Sequence, residues 1–93
     1  MTQEQVVKSF LNGAKEGVSS GAGNLKIQGD KLIHYRTIIA ERYKEKIILN
    51  VTRYSIVTGR IQKYLRESTL EEQVLTAHKV PEGTNESLVP FIL

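Results

Sequence analysis

No cysteine occurs among the 93 residues. That excludes disulfides, a thiolate nucleophile and a cysteine-ligated zinc. Histidine is scarce too. Only His34 and His78 are present, and a lone imidazole without a nucleophile and an orienting partner is a poor basis for acid–base chemistry. No apolar run exceeds four residues, far short of the roughly 20 that a membrane-spanning helix requires. The N-terminus, "MTQEQVVKSF", lacks a basic segment leading into an apolar one, so it does not read as a secretory signal. These absences point to a cytoplasmic protein with no membrane partner. They make Asn50-Val51-Thr52 and Asn85-Glu86-Ser87 accidental matches to the glycosylation pattern.

What is present fits one domain of ordinary composition, with 40% hydrophobic and 25% charged residues. The net charge of +3 hides a strong asymmetry. Residues 26–66 carry ten Lys or Arg against Asp30, Glu41 and Glu45, a formal +7, while residues 67–93 carry one Lys against five Glu, a formal −4. All four tyrosines (Tyr35, Tyr43, Tyr54, Tyr64) lie in the basic block. A basic, aromatic middle is a pointer to partners rather than to fold.

Thr2-Gln3-Glu4-Gln5 has the capping-box pattern, with Val6, Val7, Phe10 and Leu11 on one helical face and Gly13 as the stop. This predicts an N-terminal helix over 1–13. Four glycines in "GAKEGVSSGAGN" predict a mobile glycine-rich loop over 14–24. Leu25–Gln28 and Lys31–Tyr35 read as a hairpin turned by Gly29-Asp30, and Thr37–Tyr43 and Lys46–Thr52 as a second. Lys44-Glu45 is a poor pair for a tight primed turn. In this register Leu25, Ile27, Leu32, Ile38, Ala40, Ile47, Leu49 and Val51 share a face. The other face mixes Ile33, Ile39 and Ile48 with polar groups, as in a sheet either covered by a second layer or used for binding. Thr58 is the expected cap of a helix through Ile61 and Leu65, and Thr69 of another through Leu70, Val74 and Ala77 that Pro81 ends. The sheet thus spans 25–57, the helical region 58–80 and the tail 81–93. The fold class is α+β: a four-stranded antiparallel meander with an N-terminal helix and one or two C-terminal helices.

The chemistry of this pattern is not that of an enzyme. His34 falls on the core side of the sheet as a packing residue, and His78 in the last turn of a helix would favour its dipole. Adjacent Glu71 and Glu72 point apart and form no dyad. No catalytic residue, metal site or cofactor is expected. Nucleic acid instead suits cations interleaved with aromatic rings, since phosphate contact releases counterions and bases stack on π-faces. Tyr35, Arg53, Tyr54, Arg60, Lys63 and Arg66 are the candidate nucleic-acid or partner-binding residues, with a helix N-terminus adding amides toward an anion. A solvated charged face with half-buried tyrosines is the plainer alternative. The uncharged end "LVPFIL" should pack on its own sheet, within the protomer or a homodimer, with Phe91, Ile92 and Leu93 as docking residues.

The segment "LNVTRYSIVTGRIQKYL", after "LIHYRTIIAERYKEKII", resembles a family of small uncharacterised bacteriophage and mobile-element proteins. Their pattern is a hairpin followed by Asn-Thr-x-Tyr-Ser-x-Thr-Thr-Ser and a nearby Gln. Asn50, Thr52, Tyr54, Ser55, Thr58 and Gln62 stand in comparable places, while Val51, Val57 and Gly59 depart from it. The resemblance covers residues 25–65. It implies a viral or mobile-element origin, and hence the host cytoplasm, but no functional residues. Three functions follow as expectations. The first is a non-enzymatic accessory protein binding nucleic acid. The second is an anti-CRISPR-like inhibitor of a host defence protein or nucleoprotein. The third is a structural or dimerisation module.

Overall fold

Thr2 caps the first helix as the sequence expects. Its hydroxyl accepts from the Gln5 amide at 3.1 Å, and the Gln5 side-chain oxygen accepts from the Thr2 amide at 2.8 Å. The computed structural model describes residues 1–21 and 23–93; Ala22, in the expected glycine-rich loop, lies outside them. Helix α1 (Gln3–Leu11) buries Val6, Val7 and Phe10 against the sheet.

The α+β class holds, but the sheet is larger than a four-stranded meander. Among the described residues β1 (Glu16–Val18), β2 (Leu25–Gln28), β3 (Lys31–His34), β4 (Thr37–Tyr43), β5 (Lys46–Asn50) and β6 (Val74–Ala77) form one sheet in chain order. The first four pairings are antiparallel and β5–β6 is parallel, with α2 (Ile56–Glu67) as the crossover.

Strand β1 lies inside the expected loop 14–24. Its glycine, usually a loop signal, is what lets this edge close. Gly17 pairs with Ile27, and a Cβ there would sit 3.2 Å from Ile27 Cδ1. The expected second helix of the 58–80 region is also absent. Thr69 ends α2 instead of starting a new helix, because its hydroxyl donates back to the Leu65 carbonyl at 3.0 Å. A single 3-10 turn at Glu71–Gln73 leads into β6. There Val74 packs toward the helices and Leu75 toward the opposite side, the period of a strand. His78 therefore ends no helix.

The turns confirm most of the register. Gly29-Asp30 and Lys44-Glu45 are both two-residue turns, the second with φ of 49° and 65° carried by non-glycine residues. One correction concerns β4. Leu32 pairs with Ala40 but Ile33 with Ile38, so Ile39 is an extra, bulged residue. The bulge exchanges the two isoleucines. Ile39 joins Leu25, Ile27, Leu32 and Leu49 beneath α1 and α2, and Ile38 joins Ile33 and Ile48 on the other face.

That other face is covered by the chain's own tail. Val80 and Leu88 are buried on it, with Val89, Phe91 and Ile92 packed alongside. The buried Glu41 carboxylate anchors the tail, accepting from Leu88 N at 2.7 Å and from the Ser87 hydroxyl at 3.0 Å. Ile92 bridges to Ala77. Leu93 donates its amide to Thr76, but its side chain is 89% exposed. Each fully buried aliphatic side chain in these two cores contributes about 1.5–3 kcal/mol before entropy is counted. Among the described residues no helix is long and apolar enough to cross a membrane.

Candidate functional site at the start of the second helix

Five residues, 51–55, join β5 to α2. The side chains of Thr52, Tyr54 and Ser55 are engaged within the fold, whereas Arg53 is exposed. Asn50 is 2% exposed and donates to the Ile38 carbonyl and the Tyr54 hydroxyl, both at 3.0 Å, while its side-chain oxygen accepts from Thr52 N at 3.0 Å. Gln62 reaches back from α2 to donate to the carbonyls of Asn50 (2.7 Å) and Thr52 (2.9 Å). Thr52 accepts from Val80 N at 2.9 Å, and Tyr54 donates to the Val80 carbonyl at 2.6 Å. The Asn-Thr-Tyr-Gln part of the motif therefore ties sheet, helix and tail together by satisfying buried backbone groups. Tyr54 is half-buried, with its hydroxyl committed to this network.

The helix starts earlier than Thr58. Ser55 is the N-cap, accepting from Thr58 N at 3.2 Å, and Thr58 is the buried third residue of the helix. The Ser55 hydroxyl lies 3.1 Å from the Thr58 hydroxyl, which lies 2.8 Å from Nδ1 of His34. If Ser55 donates to Thr58 and Thr58 to Nδ1, the imidazole proton sits on Nε2; this tautomer is assigned from the hydrogen-bond order. His34 is 2% exposed, as its core placement predicts, yet its Nε2 has no hydrogen-bond partner among the described residues. Burial lowers its pKa below the usual 6.5, favouring the neutral ring.

These groups line a cavity of about 790 Å³ with Lys26, Tyr35 and Arg36 on its walls. Glu82 lines it too, so two cations and a helix N-terminus face one carboxylate, a setting that favours anions. Neither Lys26 nor Arg36 forms an ion pair among the described residues. Tyr35 opens the β3–β4 turn with φ 57° and is 58% exposed. Glycine would adopt that conformation freely, whereas an aromatic residue is strained there. Its ring lies against the imidazole, with centroids 4.5 Å apart. The His34–Thr58 contact has the spacing of a base and a nucleophile. However, the Thr58 hydroxyl is buried and shared with Ser55, and Nε2 lacks an orienting carboxylate. In the tautomer assigned above, the group left to donate is the Nε2–H of His34. No three His, Asp or Glu side chains among the described residues are grouped to hold a metal ion.

Helix α2 divides the residues expected to act together. Tyr35 lies in the main groove. Arg53 and Arg66 line a neighbouring cavity of about 480 Å³. Tyr54 and Ser55 line both, so these two grooves adjoin. Arg60 and Lys63 line a separate cavity of about 330 Å³ beside Gln3, Glu4 and Val7 of α1. Arg42, part of the basic block, has a structural role. It donates to the carbonyls of Phe10, Ala14 and Gly29, and its guanidinium sits 4.4 Å from the Phe10 ring. Phe91 and Ile92 dock on the protomer's own sheet.

Sequence reasoning missed Lys26, Arg36, Ser55 and the free nitrogen of His34. Ser55, three residues before Thr58, was a legible cap signal. The convergence of Lys26, Arg36 and His34 depends on the β3–β4 turn meeting the start of α2, which no local pattern carries. No family model matches the chain, and no curated protein or solved structure matches it either.

Proposed function

We propose that this chain is a non-enzymatic accessory protein of phage or mobile-element type that binds nucleic acid along the adjoining grooves at the start of α2. The observation that supports this most is the grouping of Lys26, Arg36 and exposed Tyr35 with the helix N-terminus in one cavity. Cations and amides would meet phosphates there, and the Tyr35 ring gives a base a stacking surface. A strand continuing past Tyr54 and Ser55 would reach Arg53 and Arg66. Fluorescence anisotropy with a mixed-sequence single-stranded oligonucleotide tests the reading. Affinity should fall with salt by about 0.7 log units per log unit of salt for each phosphate neutralised. Tyr35→Ala should cost about 1–3 kcal/mol of binding, the range of a lost stacking contact. No binding to single or double strands in low salt removes the proposal.

A second reading rests on the exposed ridge of α2, where Ile56 is 78% exposed on the same side as Arg60 and Lys63. Such a ridge suits a host protein or nucleoprotein, as an inhibitor would require. Pull-down from host lysate separates the two readings, because capture through the ridge survives nuclease and capture through the grooves does not.

A further inference from the structure

We propose that the groove at the start of α2 is a seat for a terminal phosphate monoester, with the Nε2–H of His34 as its innermost donor. This rests on the nucleic-acid reading and specifies which part of the nucleic acid enters. Two independent features meet here. Helix α2 has 12 residues and begins at the groove with Ser55 and Thr58. His34, 2% exposed with Nε2 unpartnered, lines the same cavity. A buried donor without an acceptor is costly unless something satisfies it, and an anion at a helix N-terminus can do so.

Depth selects the form of phosphate. An internal phosphodiester is flanked by sugars on both sides and stays at the rim with Lys26 and Arg36. A terminal monoester presents three oxygens with only one ester link, so it can reach inward. The Tyr35 ring against the imidazole is the group that must shift, and it is an exposed turn side chain held by one hydrogen bond of 3.2 Å from Asn24. After that shift the ring is free to stack on the terminal base. Glu82 also lines the cavity, and its carboxylate repels any phosphate there, so Lys26 and Arg36 have to offset it.

The test compares oligonucleotides of one sequence carrying a 5′-phosphate, a 3′-phosphate or no terminal phosphate. The expected result is binding about tenfold or more tighter for a phosphorylated end, the effect of one charge-assisted hydrogen bond. His34→Phe should abolish that preference, so that the phosphorylated and unphosphorylated strands bind it alike. Equal affinity for all three overturns the terminal-phosphate seat and leaves the nucleic-acid reading standing; no binding by any of them overturns both. A preference that survives in His34→Phe places the donor elsewhere and also overturns the seat. Should His34→Phe not fold, the Nε2 resonance of the unaltered protein is followed by nitrogen-15 NMR during titration with inorganic phosphate. A saturable shift is expected, and an unmoved resonance overturns the assignment.

Discussion

Replacing Asn50 by Asp changes one NH2 group to an oxygen and should cost this protein a large share of its stability. Asn50 Nδ2 is 3.0 Å from both the Ile38 carbonyl and the Tyr54 hydroxyl. In Asn50→Asp the Ile38 carbonyl loses its donor and faces a carboxylate oxygen instead. Tyr54 cannot donate to the new carboxylate without releasing the Val80 carbonyl, which it holds at 2.6 Å. The Thr52 amide still serves one oxygen, but the charge stays buried with no cation among its hydrogen-bond partners. Buried charges left in this condition cost about 3–5 kcal/mol, set against roughly 5–15 kcal/mol for a whole domain. Asn50→Ala loses the same donors without adding charge and should cost about 2–3 kcal/mol, from two to three hydrogen bonds of roughly 1 kcal/mol each. Urea denaturation followed by circular dichroism at pH 7 gives both values. Acid should then narrow the gap between Asn50→Asp and the unaltered protein, because protonation restores a donor and burial raises the carboxyl's pKa. If Asn50→Asp lies within about 0.5 kcal/mol of the unaltered protein, as exposed sites do, the junction is not the polar tie described here.

Three further outcomes follow from the same contacts. Ser55→Ala should lose about 0.5–2 kcal/mol as a cap, and Thr58→Val should lose about 1–3 kcal/mol by leaving His34 Nδ1 unpaired as well; equal melting temperatures for Thr58→Val and the unaltered protein would contradict the His34–Thr58 contact. Leu88→Ala should cost about 2–5 kcal/mol, as a fully buried leucine does, whereas Leu93→Ala, at an 89% exposed position, should leave the melting temperature unchanged. Because burial depresses the His34 pKa, the unfolded chain binds the extra proton first as pH falls below 6.5. Stability should therefore be full above pH 6.5 and decline as pH drops toward the folded-state pKa, and His34→Gln should flatten that decline in urea midpoints measured from pH 8 to 5.

The first helix and the hairpin strands were legible in the sequence because each rests on local signals: a capping box, alternating apolar residues and a glycine turn. Three features escaped because long-range contacts decide them. Ile39 bulges out of register where β3 and β4 meet, a shift that no period-two pattern reveals. Val74–Ala77 satisfies helical and strand spacing alike, and the parallel edge of β5 selects the strand. The motif residues Asn50, Thr52, Tyr54 and Gln62 are polar and clustered, as in a binding site, yet their partners are the backbone of Ile38, Val80 and the junction itself. Charge asymmetry marked one block of sequence but not its subdivision in space, because α2 carries Arg60 and Lys63 away from the groove that Lys26 and Arg36 line.

On the proposed function, the groove at the start of α2, and not basic charge in general, holds the nucleic acid. Two double variants remove the same charge from different places: Lys26→Ala with Arg36→Ala in the groove, and Arg60→Ala with Lys63→Ala on the opposite side of the helix. Their affinities for one single-stranded oligonucleotide at one salt concentration are compared directly. The groove pair should lose at least tenfold more affinity than the helix pair, about 1.4 kcal/mol, and should show the shallower salt dependence. Equal losses, or a larger loss in the helix pair, would contradict the claim.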